Sequence, residues 1–575
     1  MALLQISNLS FTYPEFSPKA LDNINLTVEE GELILLIGVS GCGKSTLLRH
    51  IKRELAPHGR KSGRVCYAGM EVEQLDQRTA VTEIGFVLQN PETQIVTDTV
   101  WHELAFGLEN LGLQNSEIRR KVAEMASFFG IDSWFRKSVE DLSGGQKQIL
   151  NLAAIMAMQP KLLLLDEPTA QLDPIAAQEF LAMIEKINRD LAVTVILSEH
   201  RLEEVFPLAD RVVAMEGGRI FCADKPEKVA QVLGEDSGKV LFKGLPSPIR
   251  IYSGFKKGVK CPLTVREGRQ WLIQEVQPYL VELAELDQRD RLAQSVRTFN
   301  ARTEQRRSVI ETKDLWFKYS SEGSNILRGV SFQAFAGETL CVLGGNGTGK
   351  TTLLGVLSGA LKISRGQIWI NGKKLSNFKS GELYRQNLAM LPQNPKALFV
   401  SDTVWGDLEE AAGLITQDKK GQELRIYAVL KELGIENLSQ RHPYDLSGGE
   451  QQKAGIAKLL LLQPKVILLD EPTKGLDAHS KEGLARIFAG LCSQGAAIVV
   501  VTHDLEFAAE YGNRCAMMFD GEIVSEGNPQ EFFAGNSFYT TAANRMARGI
   551  FSQAVTCKEV IKRCQIGQKV KIATS

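Results

Sequence analysis

The sequence lacks any apolar run long enough to cross a membrane, since no uninterrupted stretch approaches the ~18 residues that a spanning helix needs. Residues 1–8 also lack the basic and apolar segments of a secretory signal. Charge of one sign is not in excess, because the formal net charge is -1 at pH 7. Composition therefore gives no bulk reason to bind nucleic acid or an anionic membrane. We expect any work at a membrane to be done from outside the bilayer.

Cysteine motifs are missing as well. The 9 cysteines are scattered along the chain, and no two of them form a Cys-x-x-Cys motif. This spacing favours neither a zinc site nor a disulfide framework. The sequence therefore fits a protein of the reducing cytoplasm.

Length and composition predict more than one domain. The chain has 575 residues, which is more than can fold around one hydrophobic core. Its content of 44% hydrophobic and 23% charged residues is typical of globular domains. The expected division is a first domain at residues 1–235, a partly helical linker region at 236–307, a second domain at 308–535 and a C-terminal tail at 536–575. Pro246, Pro248 and Pro278 interrupt the linker region, and residues 297–307 predict a solvated, arginine-bearing stretch.

Short apolar runs that lead directly into turn or motif residues predict buried parallel strands. These runs are residues 33–37, 162–165 and 193–197 in the first half, and residues 339–343, 466–469 and 498–501 in the second. Helical patterns lie between them, for example at residues 146–158 and 451–462. The alternation predicts two α/β domains.

A glycine-rich phosphate-loop pattern follows the first apolar run in each half, at residues 38–45 and 344–351. Its glycines let backbone N–H groups surround phosphate oxygens at a helix N-terminus. The lysine of the pattern reaches the β and γ phosphates, and the hydroxyl residue after it ligates Mg²⁺. The predicted ATP-binding residues of the two loops are Gly38, Ser40, Gly41, Cys42, Gly43, Lys44, Ser45 and Thr46, and Gly344, Asn346, Gly347, Thr348, Gly349, Lys350, Thr351 and Thr352. We interpret Cys42, at a variable position of the pattern, as a small filler.

An Asp-Glu-Pro-Thr motif follows the second apolar run in each half. Asp166 and Asp470 stand where a carboxylate holds the shell of a Mg²⁺ ion, with Ser45 and Thr351 as further ligands. The next residue in each motif, Glu167 or Glu471, is the natural general base for an attacking water. Repetition of the motif in both halves favours this catalytic interpretation over a solvated strand end.

Two Leu-Ser-Gly-Gly loops distinguish between classes of phosphate-loop ATPase. Their residues are Ser143, Gly144, Gly145 and Gln146 in the first half, and Ser447, Gly448, Gly449 and Glu450 in the second. A hydroxyl and free backbone amides at a helix N-terminus form a second anion cradle. The loops resemble the signature loop of ABC ATPases, and the surrounding motifs match that family in both halves and in the right order.

The resemblance implies an α/β fold of two tandem phosphate-loop ABC ATPase domains. Each has a recombinase-like core, an antiparallel β subdomain and a helical subdomain that carries the signature loop. It also implies an intramolecular head-to-tail dimer, in which Lys44 works with Ser447 and Lys350 with Ser143 on ATP and Mg²⁺.

The resemblance assigns further residues position by position. Tyr13 and Tyr319 look like the aromatic residues that stack on adenine, although a core aromatic is the alternative. Gln89 and Gln393 resemble the glutamine that touches Mg²⁺ or the attacking water and senses a transmembrane partner.

His200 and His503 look like the switch histidines that contact the γ phosphate. The sequence departs from the family pattern in two small ways. Glu450 stands where the first signature has Gln146, and the first switch reads Ser-Glu-His. Neither departure removes a catalytic group, so we expect both sites to hydrolyse ATP. Whether the two sites are equally active depends on Glu450.

The stretch after each glutamine resembles one subgroup of the ABC ATPase family. Residues 89–96, 98–101 and 105–110 closely resemble ATPases of energy-coupling-factor vitamin and metal importers, and residues 393–395 and 402–405 echo them. In that family the stretch forms a groove that receives coupling helices of a membrane scaffold protein. Trp101, Phe106 and Trp405 belong either to this groove or to the core of the helical subdomain.

The implied function is that of a motor subunit, which couples ATP hydrolysis to uptake of a vitamin, a cofactor precursor or a transition-metal ion. The implied partners are an integral membrane scaffold protein and a small substrate-binding membrane subunit, with no nucleic acid. The implied location is peripheral, at the cytoplasmic face of the cell membrane. Two alternatives stay open: a ribosome-binding tandem ABC translation factor, and the fused ATPase of a sugar importer. The proline-broken linker disfavours the first, and two intact acidic pairs disfavour the second.

Overall fold

The computed structural model describes residues 2–14, 19–235, 240–255, 260–276, 307–379 and 381–574, with side chains as far as residue 566. The chain divides into two compact units, residues 1–267 with 477–479, and residues 268–476 with 480–575. The boundaries expected at residues 235, 307 and 535 are a finer division, which stays a prediction. The predicted arginine-bearing stretch lies outside the described residues except for Arg307.

The first half of the chain forms two sheets and the helices that surround them. Its strands are β1 Ala2–Thr12, β2 Leu21–Glu29, β3 Leu33–Gly38, β4 Arg60–Tyr67, β5 Met70–Glu71, β6 Ile84–Val87, β7 Leu162–Asp166, β8 Thr194–Ser198, β9 Arg211–Glu216 and β10 Arg219–Asp224. Its α-helices are α1 Lys44–Ile51, α2 Gln77–Thr82, α3 Val100–Asn110, α4 Asn115–Phe128, α5 Gly144–Ala157, α6 Pro174–Leu191, α7 Leu202–Val205, α8 Pro226–Glu235, α9 Ser247–Phe255 and α10 Val265–Val276.

A six-stranded sheet forms the centre of the first unit, in the order β10-β9-β3-β8-β7-β6. The strands from β9 to β6 pair in parallel, and β10 is antiparallel to β9. A separate antiparallel sheet has the order β2-β1-β4-β5. The predicted apolar runs of this half coincide with the parallel strands β3, β7 and β8 to within one residue, which confirms the α/β assignment. Since parallel strands end at the same edge of a sheet, the motifs that follow them meet there.

The second half repeats this architecture. Its strands are β11 Ser308–Phe317, β12 Leu327–Val330, β13 Gln333–Phe335, β14 Thr339–Leu343, β15 Arg365–Ile370, β16 Lys373–Lys374, β17 Leu388–Leu391, β18 Val466–Asp470, β19 Ala497–Thr502, β20 Arg514–Phe519 and β21 Glu522–Gly527. Its α-helices are α11 Lys350–Leu357, α12 Val404–Gly413, α13 Lys419–Leu433, α14 Gly448–Leu461, α15 Ala478–Ser493, α16 Leu505–Tyr511, α17 Pro529–Gly535, α18 Ala542–Ala547 and α19 Cys557–Thr574. The central sheet has the order β17-β18-β19-β14-β20-β21, and β11 pairs with β12, β13 and β15 in the antiparallel sheet.

Each central sheet has an apolar core on both of its faces. In β3, Leu35 and Ile37 lie in one core, whereas Ile34 and Leu36 lie in the other. The cores of the second unit divide the side chains of β14 in the same alternating way. Since side chains of a strand point alternately to its two faces, burial on both faces explains why these strands read as unbroken apolar runs.

A helical subdomain is inserted between two neighbouring central strands of each unit. Helices α3, α4 and α5 pack against one another between β6 and β7, and α12, α13 and α14 do so between β17 and β18. Buried Leu104 and Leu108 of α3 join Val122 and Met125 of α4 in one apolar cluster. The last helix of each trio begins at a signature loop, so the predicted helical signature subdomain is confirmed.

A helical extension follows each ATPase sheet, and its local structure is repeated. The Thr264 hydroxyl accepts the backbone N–H of Glu267 at the start of α10, and the Glu267 carboxylate accepts the N–H of Leu263 over 2.8 Å. Thr556 and Glu559 make the same pair of contacts at the start of α19. This reciprocal capping box shows that the internal repeat continues beyond the motifs identified in the sequence.

The described helices include none that is both long enough and apolar enough to cross a lipid bilayer.

Candidate active site

The first phosphate loop joins a central strand to a helix. The ammonium group of Lys44 is buried and donates to the carbonyl oxygens of Gly38 over 2.9 Å and Val39 over 3.3 Å. Gly43 has a φ of +103°, and a Cβ atom there would lie 2.5 Å from the carbonyl oxygen of Ala20. Only glycine fits this turn. A lysine held inside a loop of backbone amides at a helix N-terminus suits the binding of phosphate.

The second phosphate loop has the same local geometry. The buried ammonium group of Lys350 donates to the carbonyl oxygens of Gly344 over 2.9 Å and Gly345 over 2.8 Å. Gly349 has a φ of +100°, which again favours glycine. The Thr348 hydroxyl donates to the Gly345 carbonyl over 3.0 Å and closes the loop.

The structure places the predicted ATP-binding residues around these two loops. Gly38, Ser40, Gly41, Cys42, Gly43, Lys44, Ser45 and Thr46 run from the end of β3 into α1, and Gly344, Asn346, Gly347, Thr348, Gly349, Lys350, Thr351 and Thr352 run from the end of β14 into α11. The hydroxyl of Tyr13 lies 3.1 Å from Oγ1 of Thr46, and that of Tyr319 lies 3.1 Å from Oγ1 of Thr352. Tyr319 is 67% exposed, so its ring is open to a stacking partner.

The predicted Mg²⁺ ligands come together in the first unit. The Ser45 hydroxyl donates to Oδ1 of Asp166 over 2.8 Å, and the Ser198 hydroxyl donates to the same oxygen over 2.9 Å. Burial raises the pKa of Asp166 above its ordinary value. An oxygen-only pair of hydroxyl and carboxylate fits a hard cation such as Mg²⁺.

In the second unit both oxygens of the equivalent carboxylate are buried, and neither has a close hydrogen-bond donor among the described residues. Burial raises the pKa of Asp470 to about 6, although the nearby Thr351 hydroxyl acts to lower it. A buried acceptor without a donor costs free energy, and a bound cation removes this cost. The residues therefore fit Mg²⁺ in this unit too. No group of three or more His, Cys, Asp or Glu side chains in the described part of the chain forms a metal cluster.

The predicted base of the first unit lies between two other predicted site residues. Nε2 of His200 is 2.8 Å from Oε1 of Glu167, and Nε2 of Gln89 donates to Oε2 of Glu167 over 2.8 Å. Burial raises the pKa of Glu167, but the neighbouring His200 outweighs this effect, and the pKa stays below its ordinary value. The carboxylate is therefore ionised at neutral pH, as a proton acceptor must be.

The predicted base of the second unit has a different set of donors. Nδ1 of His503 is 2.9 Å from Oε1 of Glu471. The Thr502 hydroxyl and the backbone N–H of His503 donate to Oε2 over 3.2 Å and 3.4 Å. Burial raises the pKa of Glu471, but the hydrogen bond and charge of His503 outweigh it and lower the pKa overall. Gln393 is exposed and makes no hydrogen bond to Glu471 among the described residues.

Both predicted bases have a strained backbone. Glu167 has a φ of +47° and Glu471 a φ of +51°, which is the left-handed region that residues other than glycine seldom adopt. Such a conformation costs about 1–3 kcal/mol and persists where the surroundings impose it. Each backbone N–H is held by the neighbouring strand, since Glu167 donates to the Ser198 carbonyl and Glu471 to the Val501 carbonyl. The same strain at equivalent acidic residues points to a functional constraint.

The signature loops cap the N-termini of α5 and α14. The backbone N–H of Ser143 donates to Oε1 of Gln146 over 3.0 Å, and the N–H of Gln146 donates to the Ser143 hydroxyl over 3.3 Å. In the second loop the hydroxyl of Ser447 also donates to the carboxylate of Glu450, over 2.8 Å. Gly144 and Gly145, like Gly448 and Gly449, form the first turn of the helix. The hydroxyl proton of Ser447 is thus engaged by Glu450, whereas the hydroxyl of Ser143 makes no such bond to Gln146 among the described residues.

The segment after Gln89 is held by a buried carboxylate of α3. Oε2 of Glu103 accepts the backbone N–H groups of Val96 over 3.1 Å and Thr97 over 2.8 Å. In the second unit Oδ1 of Asp407 accepts the N–H of Val400 over 3.0 Å in the same way. The two valines nevertheless have exposed side chains. Each segment therefore presents an apolar surface on a fixed backbone.

The aromatic residues of the expected groove differ in exposure. Trp101 is 45% exposed, which excludes it from the core of the helical subdomain. Phe106 and Trp405 are half-buried, and the ring of Trp405 lies 4.9 Å from that of Tyr427. The core alternative therefore fails for Trp101 and holds in part for Trp405, which packs against the apolar core of its unit.

The sequence motifs assigned no role to three buried acids near the site. Glu199 accepts hydrogen bonds from Thr169 and from the backbone of His200. Glu103 and Asp407 hold the segments described above. For Glu103 and Asp407, the sequence did carry one signal of burial, which is a charged residue within an otherwise apolar helical pattern.

Comparisons with known proteins identify the relatives of this chain. Residues 21–170 and 327–474 match the protein-family model described as ABC transporter. A candidate ABC transporter ATP-binding protein of Bacillus anthracis is 42% identical over 98% of this chain and 99% of its own length. Another, of Methanosarcina mazei, is 33% identical over 92% of this chain and 90% of its own length. The solved structure of cbiO1 from Clostridium perfringens, described as part of the ABC transporter complex cbiONQ, is 28% identical, and the match covers 46% of this chain and 99% of that chain with a TM-score of 0.38.

Proposed function

Because this chain belongs to the ABC transporter family and is an ATPase with two ATP-binding domains, we propose that it is the motor subunit of an energy-coupling-factor importer. It drives uptake of a vitamin, a cofactor precursor or a transition-metal ion through partner membrane proteins. These partners are an integral scaffold protein and a small substrate-binding subunit. The chain works as a peripheral protein at the cytoplasmic face of the membrane.

The phosphate loops bind the phosphates of ATP. Lys44 and Lys350 exchange their contacts with loop carbonyls for contacts with phosphate oxygens, and the loop amides complete the cradle. Bound Mg²⁺ neutralises charge on the phosphate oxygens. The residues that would hold it are Ser45, Gln89 and Asp166 in the first site, and Thr351, Gln393 and Asp470 in the second.

The acidic residues after these aspartates accept the proton of the attacking water. Glu167 and Glu471 are suited to this because their pKa values lie below the ordinary value, so both are ionised at neutral pH. His200 and His503 keep them in this state and fix the direction of one carboxylate oxygen. We further propose, on the family resemblance, that Ser447 completes the site of Lys44 and that Ser143 completes the site of Lys350.

The importer role rests on one observation above all. The hydrogen bond from Gln89 to Glu167 joins the proposed base to the start of a segment that presents Val96 and Trp101 to solvent. A partner that binds this segment is then connected to the base through one side chain. The ribosome-binding and sugar-importer alternatives do not account for the close resemblance of residues 89–110 to energy-coupling-factor ATPases.

The proposal is tested by photo-crosslinking in cells. A benzophenone side chain replaces Trp101 in one variant and Val400 in another, both of which are exposed next to the expected groove. A matched control carries the same group at Phe519, which is 61% exposed at the end of β20. We expect the first two variants, and not the control, to crosslink to a polytopic membrane protein identified by mass spectrometry.

The products decide between the candidates. Crosslinks to ribosomal proteins from these positions would overturn the importer role in favour of the translation factor. A membrane partner that co-purifies with a sugar-binding protein would favour the sugar importer. The small subunit recovered with the scaffold then identifies the class of solute by its bound ligand.

A further inference from the structure

The residue before the switch histidine differs between the two units. In the sheets, Asp166 pairs with Ser198 and Asp470 pairs with Val501. The next residues along the chain are therefore equivalent, and Glu199 of the first unit takes the place of Thr502 in the second. Both side chains are buried next to the proposed base.

Glu199 binds two loops of the first site at once. Its Oε1 accepts the backbone N–H of Thr169 over 3.0 Å and the Thr169 hydroxyl over 2.5 Å. Its Oε2 accepts the backbone N–H of His200 over 3.0 Å. Thr169 is the last residue of the Asp-Glu-Pro-Thr motif, so Glu199 ties the loop of the base to the loop of the histidine.

In the second unit the backbone N–H that corresponds to that of His200 goes to the base itself, together with the hydroxyl of Thr502. The Thr502 hydroxyl and the backbone N–H of His503 both reach Oε2 of Glu471. A carboxylate oxygen offers about two acceptor positions, so these donors use that oxygen fully. Gln393 correspondingly makes no hydrogen bond to Glu471 among the described residues.

In the first unit the equivalent oxygen, Oε2 of Glu167, can accept a hydrogen bond from another donor. Because Glu199 takes the backbone N–H of His200, Oε2 of Glu167 has room for the side-chain amide of Gln89, which donates to it over 2.8 Å. The connection between the glutamine and the base thus follows from the identity of the residue before the histidine.

We propose that Glu199 is a positioning residue that lets Gln89 reach the catalytic carboxylate, and that Thr502 withholds the same contact from Gln393. The first ATP site therefore reports on the partner-facing segment, and the second does not. This inference rests on the proposed function, in which Glu167 and Glu471 are the bases. It assigns the coupling of hydrolysis to partner binding mainly to the first site.

The test is a pair of double-mutant cycles in the full-length chain, read out as kcat and KM for ATP. We expect Gln89→Ala to lower turnover of the first site about tenfold, measured in a chain whose second base is changed by Glu471→Gln, and Gln393→Ala to lower turnover of the second site less than about threefold, measured in a chain that carries Glu167→Gln. In a chain that already carries Glu199→Thr, the further effect of Gln89→Ala should fall below about threefold. The reciprocal Thr502→Glu should raise the effect of Gln393→Ala.

A merely structural role gives a different result. If Glu199→Thr lowers kcat but Gln89→Ala still costs the same further factor, Glu199 does not act through Gln89 and the proposal fails. The comparison of Gln89→Ala with Gln393→Ala does not change Glu199. It therefore tests the proposal even if the Glu199→Thr chain does not fold. Equal losses in those two variants would overturn the proposal.

A conservative variant and a separate control complete the design. Glu199→Gln keeps one acceptor oxygen and should retain part of the dependence on Gln89. The combined Glu167→Gln and Glu471→Gln variant tests the underlying base assignment. If that variant hydrolyses ATP at the normal rate, Glu167 and Glu471 are not the bases and the proposed function fails. If the bases are confirmed but the double-mutant cycles are additive, only the role of Glu199 fails.

Discussion

Nε2 of His200 lies 2.8 Å from Oε1 of Glu167, and this contact keeps the pKa of the carboxyl below its ordinary value in spite of burial. The second unit makes the equivalent contact through the other ring nitrogen, Nδ1 of His503, to Glu471. The histidine ring is therefore turned differently in the two units. Both arrangements leave an ionised carboxylate at the end of a buried strand.

Replacement of the bases by glutamine should stop turnover and spare binding. Glu167→Gln together with Glu471→Gln keeps the shape of both side chains but removes the proton acceptors. We expect kcat to fall by at least about 100-fold, which is the usual contribution of a general base. ATP affinity, measured with a fluorescent analogue at equilibrium, should stay within about threefold because the lysines of the phosphate loops are unchanged.

The control for this prediction is Glu216→Gln, an exposed change at the end of β9. Its turnover should equal that of the unchanged chain. Normal ATPase activity in the doubly substituted chain would show that Glu167 and Glu471 are not the bases.

The thiol of the phosphate loop should be unreactive. Cys42 is buried, and burial raises the pKa of its thiol above the ordinary value. Since the thiolate is the reactive form, alkylation by iodoacetamide at pH 8 should be at least about tenfold slower in the folded chain than in urea. Peptide mass spectrometry measures both rates. Cys42→Ala should retain ATPase activity, and rapid labelling of the folded chain would contradict the filler interpretation.

The same thiol gives a sign for the pH dependence of stability. Its pKa is higher in the folded state, so folding favours the neutral form. The contribution to stability is complete below the pKa of the unfolded thiol, about 8.5, and is lost as pH rises above it. The free energy of unfolding of Cys42→Ala, measured in urea from pH 7 to 10, should fall less steeply with pH than that of the unchanged chain.

Removal of the Glu103 carboxylate should loosen the partner-facing segment. Glu103→Ala leaves the backbone N–H groups of Val96 and Thr97 without their acceptor, which costs about 1–3 kcal/mol. Hydrogen exchange in a peptide that covers residues 94–99 should accelerate, while exchange in α1 stays unchanged. Unaltered exchange at residues 94–99 would show that Glu103 does not hold the segment.

The matched change in the second unit should cost more stability. Asp407 is 1% exposed and forms an ion pair with Lys458 at 2.8 Å, in addition to its bond with the backbone of Val400. Asp407→Ala removes this ion pair and leaves Glu410, 3.3 Å from the ammonium group of Lys458, as its remaining carboxylate partner. Loss of one member of a buried pair costs up to about 3–5 kcal/mol, and the hydrogen bond to Val400 is lost as well. Urea unfolding should therefore show a larger loss for Asp407→Ala than for Glu103→Ala, and equal losses would contradict the role of Lys458.

The apolar strands and their motifs were predictable because each carries its own local signal. A run such as residues 162–165 is apolar at every position because both faces of the central sheet are buried, and Gly41 and Gly43 follow from backbone conformations that other residues avoid. The fold class follows from these signals together. The repeated order of the motifs then requires a repeated sheet.

The network around the bases was not predictable in this way. Glu199 is one polar residue at the end of a strand, and nothing local distinguishes a buried acceptor of several hydrogen bonds from a solvated carboxylate. The repeated helical extension was missed for a similar reason. Its signal is a lone Thr-x-x-Glu capping box at Thr264 and again at Thr556, and few neighbouring residues agree between the copies.

Glutamate in the second signature loop should make the two sites unequal in their affinity for ATP. The hydroxyl of Ser447 donates to the Glu450 carboxylate over 2.8 Å, so its proton is directed away from an incoming phosphate, and the carboxylate adds a negative charge beside it. Glu450→Gln should lower KM for ATP, and the reciprocal Gln146→Glu should raise it. The same Glu450→Gln change should cost about 0.3–1 kcal/mol of stability, because a negative charge at a helix N-terminus is favourable. Steady-state kinetics and thermal unfolding separate these two effects. If KM is unchanged in both reciprocal variants while stability shifts, Glu450 is a helix cap alone, and the two signatures are equivalent toward ATP.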